Sequence, residues 1–219
     1  MINAVFCDFH GTIVHDDDEP LGIILKKMME SGTAASRQDI EAFWLQSYSA
    51  LVSTSFGDNF KLAREMFSLS IQETITNFGI DGDAEELGNP QFKYWREPRI
   101  FPDGRAFLND CHLPVYIISN VDSADMAAAL ESLNIKVAGF VTSEQARAYK
   151  PRPEIFTYAL KKYGFDSSEV VLIGDSLSGD IAGARAVGIQ TIWLNRKGRT
   201  IPEGVDKHAS DLREALEML

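Results

Sequence analysis

The amino-acid sequence predicts an α/β fold: a doubly wound (Rossmann-like) parallel sheet core with an inserted all-helical cap domain. Short apolar runs rich in β-formers recur without in-and-out alternation, the pattern of strands buried on both faces. Helix signals separate these runs over the C-terminal half of the chain. Between the first and second runs, about eighty residues carry helix patterns and no strand, too many for a simple crossover.

The runs are Ile2–Cys7 (INAVFC), Val115–Ser119 (VYIIS) after Pro114, Gly139–Thr142 (GFVT), Val170–Ile173 (VVLI) and Thr191–Leu194 (TIWL). Helices are expected over Ser123–Leu133, Pro153–Tyr163 and Ser178–Val187, with Gly164 and Gly188 where C-caps belong. Inside the long insert, Ser36-Arg37-Gln38-Asp39 opens a helix through Trp44, Leu45, Tyr48 and Leu51. Asp58 is expected to cap a second helix bearing Phe60, Ala63, Phe67, Ile71 and Ile75 on one face before Gly79. Asp83 is expected to cap a third, broken at Gly88-Asn89-Pro90. These signals divide the chain into a core of 1–19 and 98–219 and a cap of 20–97. Pro98 and Phe101-Pro102-Asp103-Gly104 make the hinge by which the chain returns to the core.

Charge narrows the partners. The 219 residues include 21 Lys+Arg and 32 Asp+Glu, a formal net charge of -11. That field repels a nucleic-acid backbone, and no basic cluster offsets it, so no nucleic-acid partner is expected. No segment offers the ~18 uninterrupted apolar residues of a spanning helix, and the N-terminus lacks a signal peptide's charged start. A cytoplasmic protein with no membrane partner is expected, its oligomeric state left open. Cys7 and Cys111 make neither a disulfide framework nor a zinc set. A small anionic substrate is compatible with this charge only if a local cation receives it.

In open α/β sheets, ligands sit at the carboxyl ends of the strands. There the sequence places Asp8-Phe9-His10-Gly11-Thr12, then Ser119-Asn120, then Lys150-Pro151, and finally Gly174-Asp175-Ser176 with Asp180 beyond. In this order the four motifs resemble the haloacid dehalogenase (HAD) superfamily, with a helical (C1-type) cap inserted after the first motif. The resemblance spans nearly the whole chain. It implies that Asp8 is a nucleophile and that Lys150 neutralises it and the substrate. It implies substrate phosphate held by Ser119, Thr12, Asn120 and Lys150. It also implies Mg2+ bound by Asp8, the backbone carbonyl of His10, Asp175 and, through water, Asp180.

The chemistry is consistent with those roles. A carboxylate can attack phosphorus and form an aspartyl-phosphate that water later hydrolyses. Three carboxylates around a phosphate need a hard cation with oxygen ligands, and Lys150 adds a further positive charge. Taken singly, each residue has an ordinary reading: Asp8 as a turn cap, Lys150 as a solvated side chain, Asp180 as a charge favouring a helix N-terminus. Their joint occurrence at successive strand ends favours the site.

One position departs from the pattern. Phosphatases of the family usually carry Asp two residues after the nucleophile, the dehalogenase branch Tyr, and the phosphonate-cleaving branch a small residue. Here the residue is His10. Imidazole can itself transfer protons, with a reference pKa of ~6.5. Carboxylates raise that value while a metal and Lys150 lower it, and the sequence leaves the sign open. The resemblance therefore implies a Mg2+-dependent phosphatase acting on a small phosphorylated metabolite, with His10 as an atypical acid and base. The alternatives are a 2-haloacid dehalogenase-like hydrolase and a phosphate-binding protein whose turnover the histidine has dulled.

Leaving-group contacts are expected from the cap, where Trp44, Tyr48, Phe56, Phe60 and Arg64 are candidates, although aromatics at helical spacing are more often core. The acidic run around His15, from Val14 to Glu19, reads as a solvated linker rather than a second metal site. Lys26-Lys27 reads as a solvated helix face, and His112 and His208 as surface residues.

Overall fold

The AVFC run forms β1 (Ala4–Cys7), fully buried, near the centre of a six-stranded sheet. The computed structural model describes residues 1–31, 33–205 and 207–219. After β1 come four helices, α1 (Asp18–Glu30), α2 (Arg37–Thr54), α3 (Ala63–Phe78) and α4 (Ala84–Arg96). The chain then forms α5 (Pro102–Asp110), β2 (Val115–Ser119), α6 (Ser123–Ser132), β3 (Gly139–Thr142), α7 (Ser143–Ala146) and α8 (Pro153–Tyr163). It ends with β4 (Val170–Gly174), α9 (Ala182–Ala186), β5 (Gln190–Leu194), β6 (His208–Ala209) and α10 (Leu212–Leu216). No helix is long and apolar enough to cross a membrane among the described residues.

All strand pairs are parallel, in the order β3-β2-β1-β4-β5-β6. The chain walks from β1 through β2 to β3, then returns to β4 on the other flank of β1. That reversal opens a crevice at the carboxyl ends of β1 and β4. Alternate residues feed two cores. Val5, Cys7, Ile117 and Ile173 join Phe107 and the cap helices, whereas Phe6, Ile118, Leu172 and Trp193 pack with Phe156 of α8. Burial on both faces is why the strands read as unbroken apolar runs.

The cap departs from the sequence expectation at two helix boundaries. Ser36 caps α2 as expected, accepting from the Asp39 amide. Asp58, however, lies in a short 3-10 turn and caps nothing; α3 begins at Ala63. Its first amides, from Ala63 and Arg64, donate instead to the Asp122 carboxylate at 2.8 and 3.1 Å. A cap supplied from 59 residues away leaves no local signature. Phe60 consequently stays outside the helix and stacks on Tyr149. The second departure is α4, capped by Asp83 but continuous across Pro90. Proline there forfeits a hydrogen bond to the Glu86 carbonyl. Burying Gln91, Phe92, Tyr94 and Trp95 offsets the loss, and Phe92 packs where a side chain at Gly88 would stand.

Two further expectations change. Asp18 and Glu19 form the first turn of α1 rather than a linker, and Asp17 is half-buried, accepting from Gln91 Nε2 at 2.8 Å. His208 belongs to β6, pairing with Trp193, and is half-buried; a two-residue strand is too short to announce itself by pattern. His112 is exposed and Cys7 is a buried free thiol, as expected.

The loop after β1 is held by its own backbone. Gly11 takes φ 79° and its amide reaches the Val14 carbonyl at 2.8 Å. The Phe101 amide binds the Ile13 carbonyl at 3.0 Å, bringing α5 against the loop. A Cβ on Gly104 would stand 2.4 Å from that carbonyl oxygen. Gly104→Ala should therefore lower stability by about 1–3 kcal/mol. Urea unfolding reads the loss, and an unchanged midpoint would contradict the close approach.

Candidate active site

The four motifs converge because the strands share one register. Cys7 sits beside Ile117 on one flank and Ile173 on the other, so Asp8, Ser119 and Asp175 emerge together. The Asp8 amide is fixed to the Ile173 carbonyl at 2.9 Å. Asp180 arrives from a π-helical turn, Leu177–Ile181, a wider turn than an α-helix makes and one frequent at functional sites. Gly174 makes this possible: a Cβ there would lie 2.5 Å from the Asp180 carboxylate.

Lys150 is the hub. Its Nζ lies 2.5 Å from Asp8 Oδ1, 2.6 Å from Asp180 Oδ1 and 3.0 Å from the Ile118 carbonyl. All three side chains are buried: Lys150 8%, Asp8 6% and Asp180 1% exposed. Burial pulls the ammonium pKa down, but Asp180 and Asp8 outweigh it and hold it above its usual value. Asp180 accepts from the Ser176 amide with its other oxygen, at 3.1 Å. The Asp175 carbonyl is pinned by Trp193 Nε1 and by Arg199 at 2.9 and 2.8 Å.

Asp8, Asp175 and Asp180 each offer a carboxylate oxygen, and these atoms lie within 4.8 Å of one another. Burial, then the charges of Asp8 and Asp180, push the Asp175 carboxyl up to about 7. Asp180 is pushed up to about 6 by burial and Asp8, with Lys150 opposing. Excess negative charge among hard oxygen donors fits a magnesium-type ion. The His10 carbonyl accepts none of the backbone hydrogen bonds that shape the loop among the described residues, so it too is free to serve as a ligand.

A cavity of about 290 Å³ opens over this cluster, with Ser119 and Asn120 on its wall. Two expected phosphate contacts change. Thr12 is fully buried and outside the cavity lining, because the turn at Gly11 directs it inward; its carbonyl accepts from Arg196 at 2.7 Å. Asn120 lines the cavity, but its amide clasps the Lys150 backbone, accepting from the N–H at 2.7 Å and donating to the carbonyl at 3.2 Å. It positions Lys150. His10 lines the cavity with its Nε2 buried and lacking a hydrogen-bond partner among the described residues. Burial and Lys150 hold its pKa down at about 4, which settles the direction of the shift.

Of the cap candidates, Tyr48 reaches this cavity and Trp44 lines an adjoining one. Arg64 is locked to Asp125 by contacts of 2.6 Å to both carboxylate oxygens, and Phe56 lies under the Arg152 guanidinium. The sequence reading missed Asp17, Trp95 and Tyr149, which also wall this cavity. Tyr149 immediately precedes Lys150, the one local signal that could have found it.

A family model described as haloacid dehalogenase-like hydrolase matches residues 2–188. Ribulose-1,5-bisphosphate 5-phosphatase of Halopiger xanaduensis is 34% identical over 137 residues, 59% of this chain and 57% of that protein. The chain thus spans little more than half of that relative's length. Glyceraldehyde 3-phosphate phosphatase of Pyrococcus abyssi is 24% identical, over 89% of the chain and 82% of that protein. L-2-haloacid dehalogenase from Xanthobacter autotrophicus superposes with a TM-score of 0.77 at 16% identity, covering 100% of this chain and 98% of that one. Such identity bears on the fold alone, but the family match runs from β1 through α9, and the chain belongs to the haloacid dehalogenase-like hydrolases.

Proposed function

We propose that the chain is a Mg2+-dependent phosphatase for a small phosphorylated metabolite, working through an aspartyl-phosphate on Asp8. The observation that carries this reading is the convergence of Asp8, Asp175 and Asp180 around Lys150. Halide release from a haloacid uses an aspartate nucleophile but has no need of a three-carboxylate cation site. The phosphatase relatives support the same choice.

Asp8 forms the bond to phosphorus as the bond to the leaving oxygen breaks. Lys150 orients Asp8 and offsets charge on the transferring oxygens, and Ser119 at the strand end receives a phosphoryl oxygen. Mg2+ would be held by Asp8, Asp175 and the His10 carbonyl, with Asp180 contributing through water, and would neutralise charge on the carboxylates and the phosphoryl group. Water then attacks phosphorus, breaking the bond to Asp8 and restoring the carboxylate. A neutral imidazole suits that second step by taking the proton of the attacking water, while the alkoxide released in the first step takes its proton from solvent water. The reading of His10 narrows from acid and base to base. The chain acts without nucleic-acid or membrane partners, in the cytoplasm.

Asp8→Asn is expected to abolish hydrolysis of phosphate monoesters, and EDTA to inhibit the parent enzyme. Activity in Asp8→Asn equal to the parent, or halide release indifferent to EDTA, overturns the assignment. His10→Ala should lose roughly 10²–10⁴-fold in turnover, while His10→Asp keeps or raises it. In the parent, the acidic limb of the pH–rate profile should lie well below 6.5, because the imidazole pKa is depressed. A limb centred at the reference value counts against His10 as the base.

The carboxyl shifts also set stability. Asp175 and Asp180 have folded pKa values above the unfolded value, so the native state holds more protons between about pH 4 and pH 7. Metal-free protein should therefore lose this contribution as pH rises through that window. Mg2+ should raise the melting temperature most at the upper end, and Asp175→Asn should flatten both effects. A melting temperature indifferent to Mg2+ at about pH 7 would remove the case for the ion.

A further inference from the structure

The cavity over Asp8 and Lys150 adjoins a second cavity of about 240 Å³ between α1 and α2. Asp17, Tyr48 and Trp95 line both, forming the shared wall. Beyond it the second cavity is walled by Trp44, Phe67 and leucines, with Glu41 at an exposed edge. Among the described lining residues, its charged side chains are the carboxylates of Asp17 and Glu41. Trp44 is fixed by donating from Nε1 to Ser70 Oγ at 2.9 Å, and Asp17 is fixed by Gln91. Both side chains are therefore preorganised around the space.

No cationic side chain lines this second cavity among the described residues. Across both cavities Lys150 is the one Lys or Arg among the described lining residues, and it is bound to Asp8 and Asp180. Arg64, the nearest candidate in the sequence, is held by Asp125. A leaving group carrying a second phosphate or a carboxylate would enter an acidic chamber without a counter-ion. An ammonium would instead meet aromatic rings and carboxylates, the combination that attracts cations most strongly.

Resting on the phosphatase reading above, we infer that the substrate is a phosphate monoester of an amino alcohol, its ammonium seated between Asp17, Tyr48, Trp44 and Trp95. The phosphate occupies the Asp8–Lys150 end and the cation the cap end, so one molecule matches the charge of both cavities. Glu41 at the edge adds to the field that draws the cation inward.

Three esters of graded charge test this: choline phosphate, neohexyl phosphate as its uncharged carbon isostere, and phosphoglycolate. With Mg2+ present, kcat/KM should be about tenfold higher for choline phosphate than for the isostere, and lowest for phosphoglycolate. Asp17→Asn should shrink the first ratio to about twofold. Equal values for choline phosphate and neohexyl phosphate, or a preference for phosphoglycolate, overturn the inference while the phosphatase reading stands. If no ester is hydrolysed, p-nitrophenyl phosphate included, the phosphatase reading fails. The cation subsite is then still decided by titrating tetramethylammonium against tryptophan fluorescence in the Mg2+-loaded protein. Saturable binding weakened by Asp17→Asn supports it, and no saturable change refutes it.

Discussion

Lys150 placed between Asp8 and Asp180, in a site where all three are buried, is the constraint on which the rest of the structure depends. Removing one partner of such a buried pair typically costs about 3–5 kcal/mol, because the remaining charge is left without compensation. Here the compensation is incomplete from the start: Asp175 joins the pair, and the acids outnumber the ammonium. Two like charges at about 4 Å repel by about 4 kcal/mol where the effective dielectric is near 20. The raised carboxyl pKa values of Asp175 and Asp180 express that repulsion. A fold selected for stability alone has no use for it. A fold that holds a cation and a phosphoryl group in one crevice, as the proposed function requires, would have one.

The surrounding structure keeps the cluster from relaxing. Asn120 grips the Lys150 backbone from β2, so the lysine cannot follow its side chain toward solvent. Gly174 admits the Asp180 carboxylate where any side chain would exclude it. Trp193 and Arg199 hold the Asp175 backbone. The cap is moored by the same region of the core: Asp122 accepts the first amides of α3, and Asp125 binds Arg64. Asp122 stands at the N-cap of α6 just past β2 and Asp125 lies in the first turn of α6, so the segment that follows Ser119 also fixes what lies above it. Tyr149 adds a third tie through the Lys61 carbonyl at 2.8 Å, one residue from the central ammonium.

The core was legible because its signals are local. Five strands buried on both faces wrote themselves as apolar runs, and the polar residues just past them could be placed at one edge of the sheet. What escaped was set by distant contacts. The true start of α3 depends on Asp122, far along the chain, so Asp58 read as a cap it does not form. The continuity of α4 across Pro90 depends on packing of Phe92 and Trp95, which propensity does not count. The family resemblance implied Thr12 as a phosphate contact, yet beyond the left-handed turn at Gly11 it is fully buried. Asp17 was hidden in an acidic run whose other members include the exposed Asp18 and Glu19; only the third dimension separates them.

Charge accounting across the two cavities links the depressed His10 pKa to substrate selection. A histidine beside carboxylates would ordinarily gain a proton and add a positive charge to the crevice. Burial and Lys150 keep this one neutral, so Lys150 is the one cationic side chain among the described residues that line the cavity. With the chain at a formal net charge of -11, a second anionic group has nothing to offset its entry. The same neutrality that readies His10 to accept a proton therefore also limits how much negative charge the site can admit. On the proposed mechanism, catalytic base and charge filter are consequences of one placement: an imidazole two residues past Asp8, buried against the wall of the cavity.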